Sequence, residues 1–131
     1  MKRLLILTAA VVFACGCNRC DLPFGSGGVI NIADAQYSRL ANVGGTATVN
    51  RGYRGIIVRC ESIGSYAAFE MACPNDHDEL MVPDDYDAAL TLTCPKCKAC
   101  FDIIYGNPIS GCECPLYRYS TSFDGQLISI W

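Results

Sequence analysis

Cysteine-proline pairs mark the two places in this sequence where metal chemistry is expected. Cys94 and Cys97 stand three positions apart with Pro95 between them, and Cys73-Pro74 lies 21 residues upstream. Cysteines at this spacing form a tight knuckle that brings their sulfurs towards one point, as zinc sites and iron-sulfur clusters require. Two such loops facing each other can close a four-ligand site. The sequence therefore indicates a candidate site for a metal ion or a cluster between them.

Short strands are expected to position these loops. From Val29 onward the chain runs in short segments that are rich in branched or aromatic residues and bounded by Gly, Asn or Ser. The predicted strands are 29–32, 46–49, 56–60, 66–71, 90–92, 101–105, 117–120 and 126–130, with one or two helical turns over 33–40. The last two strands are predicted to form a closing hairpin around Asp124-Gly125. Strands without a long helix predict an all-β sandwich or barrel.

The first 14 residues have the pattern of an export signal. Lys2-Arg3 precedes a mainly apolar run of ten residues, 4–13. A membrane-spanning helix needs about 20 residues, so this run is a targeting segment and not an anchor helix. Val12-Phe13-Ala14-Cys15 resembles the lipobox of bacterial lipoproteins, which implies that Cys15 carries a lipid, with Cys17 as the alternative. The chain is thus expected to be a lipid-anchored membrane protein of the cell envelope that faces outside the cytoplasm.

A flexible tether is predicted over residues 15–28, because this glycine-rich segment has no hydrophobic period. Cys17 and Cys20 lie in it, and we expect them to form a local disulfide or to be exposed thiols. Without residues 1–14, eight basic residues stand against 13 acidic ones. An acidic chain of this kind lacks the excess of basic residues that binding to nucleic acid usually requires.

Cysteine and histidine content restrict the chemistry further. Outside the reducing cytosol, thiols pair as disulfides or are protected by a metal. The only histidine is His77, so no Ser-His-Asp set exists away from that position. Chemistry that needs an imidazole is therefore limited to one place in the chain. Cys60 follows the apolar run Ile56-Ile57-Val58 and is predicted to be a buried thiol.

The order of the motifs resembles a Rieske domain. Cys73-Pro74, a strand, Cys94-Pro95 and Phe101-Asp102 follow one another, and then come Gly106-Asn107-Pro108, Gly111, Pro115-Leu116 and the strand from Tyr117. The resemblance covers residues 29–131. It implies an all-β, Rieske-like small β-sandwich or barrel with two Cys-Pro loops and a third, proline-containing loop over them. It also implies one-electron transfer through a 2Fe-2S centre to or from a redox partner in the envelope.

The expected ligand set is altered. Rieske clusters take Cys-x-His from the first loop and Cys-x-x-His from the second. Aligned on Cys73 and Cys94, the two histidine positions hold Asn75 and Cys97. Lys98-Ala99 replaces the Gly-Ser pair that the resemblance leads us to expect after the second ligand.

Four interpretations of the altered set stay open. In the first interpretation His77 replaces the missing imidazole in a 2Fe-2S centre, and in the second a zinc ion occupies the site. In both, the ligands are Cys73, His77, Cys94 and Cys97, and for zinc Cys100 is the alternative fourth ligand. In the third interpretation the domain is cluster-free and stabilised by disulfides. Its bridges are expected among Cys100, Cys112 and Cys114, or from the third loop to Cys94. In the fourth, Cys94 and Cys97 form a redox dithiol.

Two functions correspond to these interpretations. The first is a membrane-anchored electron-transfer domain of 2Fe-2S type with altered ligands. The alternative is a cluster-free Rieske-fold lipoprotein, stabilised by disulfides or zinc, that serves a binding or structural role in the envelope.

Overall fold

A computed structural model describes residues 20–131, so the lipidation candidates Cys15 and Cys17 lie outside the described residues. The elements of this part of the chain are β1 (Gly28–Asn31), a 3₁₀ helix (Ala35–Ala41), β2 (Thr46–Val49), β3 (Ile56–Ser62), β4 (Ser65–Glu70), β5 (Val82–Pro83), β6 (Thr91–Thr93), β7 (Cys100–Asp102), β8 (Pro108–Ser110), β9 (Arg118–Tyr119), β10 (Thr121–Phe123) and β11 (Leu127–Ile130). None of the helices found over 20–131 has the length and apolar character needed to cross a membrane.

The strands form three antiparallel sheets, which confirms the all-β prediction for the described residues. The strand orders are β1-β11-β10, β2-β3-β4-β9 and β5-β6-β7-β8. In the second sheet Ile57 pairs with Phe69, and the register of β3 and β4 shifts between Cys60 and Ser62. This second sheet lies at the centre of the packing, since its two faces contribute to different cores.

Alternation along β3 and β4 divides their side chains between two apolar cores. The first core contains Val58 and Cys60 of β3 with Ala68 of β4, and it is completed by residues of β1 and β11. The second contains Ile57 of β3 with Phe69 of β4, and it is completed by residues of β6, β7 and the loops around them. Because β4 is covered on both faces, it reads in the sequence as a nearly continuous apolar run. Cys60 is fully buried, as predicted.

The C-terminal strands pair differently from the prediction. The closing hairpin is formed by β10 and β11, whose register joins Phe123 to Ile128. The preceding strand β9 leaves this hairpin and pairs with β4, where Ala68 lies opposite Tyr119. Its position is fixed because the Tyr119 hydroxyl donates a hydrogen bond of 2.7 Å to the buried Glu70 carboxylate. Of the predicted hairpin strand over 117–120, Arg118 and Tyr119 therefore belong to the second sheet, whereas Ser120 exchanges backbone hydrogen bonds with Trp131.

The strand predicted over 101–105 ends early, at Asp102. The Asp102 carboxylate accepts hydrogen bonds from the backbone N–H groups of Ile104, Tyr105 and Asn107 at 3.0, 2.7 and 3.2 Å. These bonds turn the chain, because an aspartate that accepts from nearby backbone donors stabilises a turn in preference to a strand.

The second half of the predicted tether contacts the domain. The Phe24 ring stacks on Tyr117 with centroids 4.8 Å apart, and the Gly25 N–H donates to the Tyr119 hydroxyl at 3.0 Å. Cys20 forms a disulfide with Cys114, across a sequence separation of 94 residues. Residues 20–28 therefore run along the domain surface, and a tether stays a prediction for residues 15–19.

Candidate metal centre

The first cysteine loop follows β4 and is closed by its own backbone. Ala72 and Leu80 form an isolated antiparallel bridge at its base. The Cys73 N–H donates to the Glu79 carbonyl at 3.0 Å, and the Asp76 N–H donates to the Cys73 carbonyl at 3.2 Å. These bonds hold Cys73, which is fully buried, at the inner end of the loop.

The second cysteine loop connects β6 to β7 and forms the predicted knuckle. The Cys94 N–H donates to the Ala99 carbonyl at 2.8 Å, and the Lys98 N–H donates to the Cys94 carbonyl at 3.0 Å. The Cys97 N–H points to the Cys94 sulfur at 3.5 Å. Lys98 adopts a φ of 65°, in the left-handed region that favours glycine. The knuckle thus keeps its turn although lysine stands where the Rieske motif has glycine.

The third loop, residues 111–115, packs onto both cysteine loops. The Asn75 side-chain amide donates to the Gly111 carbonyl at 2.9 Å, which ties the third loop to the first. Gly111 has a φ of 77°, and a Cβ added there would lie 2.9 Å from the Ala99 Cα. Only glycine allows the backbone this approach to the second loop. The three loops therefore meet at one place, as the Rieske resemblance implies.

Three sulfurs converge where the loops meet. The Sγ atoms of Cys73, Cys94 and Cys97 all lie within 4.8 Å of one another, and the Cys73 and Cys97 sulfurs are 3.6 Å apart. Cys73 and Cys94 are buried, whereas Cys97 is exposed. Within residues 20–131 this is the one group of three or more His, Cys, Asp or Glu side chains found with ligand atoms so close together.

Two of the three thiols, Cys73 and Cys97, differ in their acidity. Burial raises the pKa of the Cys73 thiol to about 12, although the backbone N–H groups of Asn75 and of the next residue oppose the rise. Burial also acts to raise the pKa of Cys97, but hydrogen bonds from the Ala99 backbone, the Cys94 and Cys73 thiols and the Asn75 amide bring it below its ordinary value. Cys97 is therefore more ready than Cys73 to become a thiolate, the form that binds metals.

Two further contacts connect the loops around the sulfurs. The Lys96 ammonium lies 2.9 Å from the Asp76 carboxylate, joining the second loop to the first. The Asn75 amide nitrogen lies 3.8 Å from the Cys97 sulfur. Asn75 occupies an expected histidine position, and no sequence pattern indicates its bridging role between Gly111 and Cys97.

The structure groups the predicted ligands only in part. Cys73, Cys94 and Cys97 come together, but His77 lies outside this group. The turn after Cys73 carries the imidazole to Tyr53, whose ring is 6.4 Å away in an edge-on arrangement. Cys100, the alternative fourth ligand, belongs to β7 and also lies outside the group.

The predicted disulfides on the third loop are replaced by a different one. Cys114 pairs with Cys20, whereas Cys100 and Cys112 are free thiols. Cys94 is free as well, so the expected bridge from the third loop to the second is absent from residues 20–131. The physical reason is the course of the N-terminal segment, which follows Tyr117 and Tyr119 and so places Cys20 beside the third loop.

Glu70 is a supporting residue that the sequence interpretation did not single out. Its carboxylate accepts a hydrogen bond of 3.0 Å from the Ala72 N–H, directly before Cys73. It also accepts from three consecutive backbone N–H groups, those of Tyr53, Arg54 and Gly55. The available signal was a carboxylate inside an otherwise apolar run, since buried charges are rare unless they have partners.

Comparison with known proteins identifies the fold. No protein-family model and no curated protein matches this chain. A chain in the structure of the complex of reduced oxygenase and oxidized ferredoxin in carbazole 1,9a-dioxygenase is 19% identical, with a TM-score of 0.52, and the match covers 79% of this chain and 99% of that one. The ferredoxin of carbazole 1,9a-dioxygenase from Nocardioides aromaticivorans IC177 is 18% identical, with a TM-score of 0.47, over 81% and 95% of the two chains. The first similarity, together with the three loops, shows that this protein has a Rieske-like all-β fold.

Proposed function

We propose that this chain is a metal-binding domain of Rieske-like fold in which the thiolates of Cys73, Cys94 and Cys97 hold one metal ion. The observation that carries the proposal is the convergence of three sulfurs within 4.8 Å of one another. Two thiolates on one tetrahedral ion with bonds of about 2.3 Å lie roughly 3.8 Å apart. The Cys73 and Cys97 sulfurs, at 3.6 Å, match that separation.

The cluster expected of the fold does not fit these residues. A Rieske cluster needs two imidazoles on one iron, and this site offers Asn75 and Cys97 in their places, while His77 lies against Tyr53. In a 2Fe-2S cluster, two thiolate sulfurs bound to different irons are separated by the cluster core. Their distance is therefore larger than the distances among the three Sγ atoms of this site. The donors are suited to zinc or to a single iron, both of which accept thiolates in tetrahedral geometry.

One-electron transfer is the second candidate function, and it applies if the metal is iron. Cys97 is exposed whereas Cys73 and Cys94 are buried, so one ligand of the centre lies at the surface where a redox partner can approach. A chain of the same fold occurs in a complex that contains a ferredoxin. Visible absorption that dithionite bleaches would support this candidate, and a colourless zinc-loaded protein would exclude it.

We also propose that the domain is anchored to the cell envelope through a lipid on Cys15. The Cys20–Cys114 disulfide supports this location, because disulfides persist outside the reducing cytosol. In membrane fractionation the wild-type chain should sediment with membranes, and Cys15→Ser should release it. A variant that remains in the membrane fraction would argue against Cys15 as the anchor and direct the same test to Cys17.

Metal content tests the proposed site. The chain purified without chelator or added reductant should contain about one metal ion, and Cys73→Ser, Cys94→Ser and Cys97→Ser should each lose nearly all of it, because a serine hydroxyl replaces a thiolate ligand. Elemental analysis by mass spectrometry measures this directly.

The matched control is Cys60→Ala, which removes a buried thiol from the other apolar core and should keep the wild-type metal content. Circular dichroism establishes whether each variant is folded. Equal metal content in all four variants, or a folded wild-type chain that binds neither zinc nor iron when these are supplied, would overturn the proposal.

A further inference from the structure

We infer that Cys112 is the fourth ligand of the metal site, so that the third loop completes a four-thiolate centre. The inference rests on the proposed function and extends it. Three thiolates leave one position of a tetrahedral zinc or iron site open, and structural sites of this kind are usually closed by a fourth protein ligand.

Cys112 packs against the apolar core that contains the buried thiols of the site. It is half-buried and packs against the second apolar core, whose members include Cys73, Cys94 and Ala99. Among the free thiols of residues 20–131 outside the three-sulfur group, it is the one that packs against this core. It therefore sits on the third loop where that loop covers the other two.

The third loop is held in place on both sides of Cys112, at Gly111 and at Cys114. On one side, the Gly111 carbonyl accepts a hydrogen bond from Asn75, the same side chain that contacts the Cys97 sulfur. On the other side, Cys114 is tied to Cys20 by the disulfide. The third loop is thus anchored on both sides of its free thiol, which limits how far Cys112 can move from the site.

The present contacts of the Cys112 sulfur are weak. Its Sγ accepts from the Cys114 N–H at 3.4 Å and lies 3.6 Å from the Cys114 carbonyl. Sulfur is a poor hydrogen-bonding atom, so a metal–thiolate bond would replace these contacts at small cost. Because the Cys112 sulfur lies outside the 4.8 Å group, ligation requires its side chain to turn from the Cys114 backbone towards the three sulfurs.

The other candidate donors are placed less well. Cys100 lies between Ala99 and Phe101, which are both fully buried in the second core. Alternation along β7 therefore directs the Cys100 side chain to the opposite face. His77 is turned towards Tyr53. Cys60 belongs to the other core.

Cobalt(II) substitution of the full-length chain tests the assignment without any activity assay. Thiolate-to-cobalt charge-transfer absorption grows with the number of thiolate ligands, and the visible bands report tetrahedral coordination. Wild type should show a tetrahedral spectrum. Cys112→Ser should lose about a quarter of the charge-transfer intensity and bind cobalt at least about 10-fold more weakly, whereas Cys100→Ser should match wild type. Cys112→His should keep a tetrahedral spectrum with one thiolate fewer.

A second measurement needs no variant. Cobalt should protect Cys112 of the wild-type chain from alkylation by N-ethylmaleimide, mapped by peptide mass spectrometry, while Cys100 stays reactive. Unchanged spectra in Cys112→Ser, or equal alkylation of Cys112 with and without cobalt, would overturn the inference and point to water as the fourth ligand. A folded wild-type chain that binds no cobalt would instead refute the proposed metal site itself.

Discussion

Replacing Glu70 with alanine is expected to lower the free energy of unfolding by about 3–5 kcal/mol. The side chain is only 1% exposed, and its carboxylate is the shared acceptor for five donors. These donors are the backbone N–H groups of Tyr53, Arg54, Gly55 and Ala72 and the hydroxyl of Tyr119. Removal of the carboxylate leaves several of them buried without a partner, and each unsatisfied donor costs roughly 1–3 kcal/mol.

Urea unfolding followed by circular dichroism measures this loss. Glu61→Ala is the matched control, because Glu61 forms an ion pair of 3.3 Å with Arg118, whose side chain is 48% exposed. An ion pair this accessible to solvent contributes at most about 1 kcal/mol. Glu70→Gln retains one carbonyl acceptor, so its loss in the free energy of unfolding should lie between the losses of Glu70→Ala and Glu61→Ala. A loss in Glu70→Ala no larger than that in Glu61→Ala would show that the carboxylate does not organise this region.

Removal of the Cys20–Cys114 disulfide is expected to destabilise the chain by about 2–5 kcal/mol. The bridge joins cysteines that lie 94 positions apart in the sequence, and in the chain-entropy account closing a long loop restricts the unfolded state strongly. The change is the double variant Cys20→Ser/Cys114→Ser, which leaves no unpaired partner. Its urea midpoint should fall relative to wild type in the presence of a chelator, so that metal binding does not contribute.

Cys100→Ser, which removes a half-buried free thiol, is the control for substitution of cysteine as such. A double variant that loses less than about 1 kcal/mol would indicate that the N-terminal segment is held mainly by its other contacts. Those contacts are the stacking of Phe24 on Tyr117 and the hydrogen bond from Gly25 to Tyr119.

Local sequence patterns were sufficient to predict the scaffold of the site. The Cys-Pro pairs at Cys73 and Cys94 indicated two loops, and the spacing of Phe101-Asp102 and Pro115-Leu116 after them indicated a Rieske-like order. These features depend on residues that are close in sequence, such as the knuckle bond from the Cys94 N–H to the Ala99 carbonyl. The fold comparison agrees with that order.

Long-range partners could not be predicted in the same way. Cysteine spacing does not determine disulfide connectivity, and nothing near Cys20 in the sequence indicates a partner as distant as Cys114. His77 stands four positions after Cys73, yet the turn between them directs its ring to Tyr53. The role of Glu70 depends on backbone N–H groups from two separate segments, which meet only after β3 and β4 have paired.

X-ray absorption spectroscopy of the metal that co-purifies with the chain tests the central claim most directly. We expect one metal per chain with three or four sulfur neighbours at about 2.3 Å and no second metal close by. A short metal–metal distance, or a first shell composed mainly of nitrogen and oxygen, would contradict a single ion held by Cys73, Cys94 and Cys97.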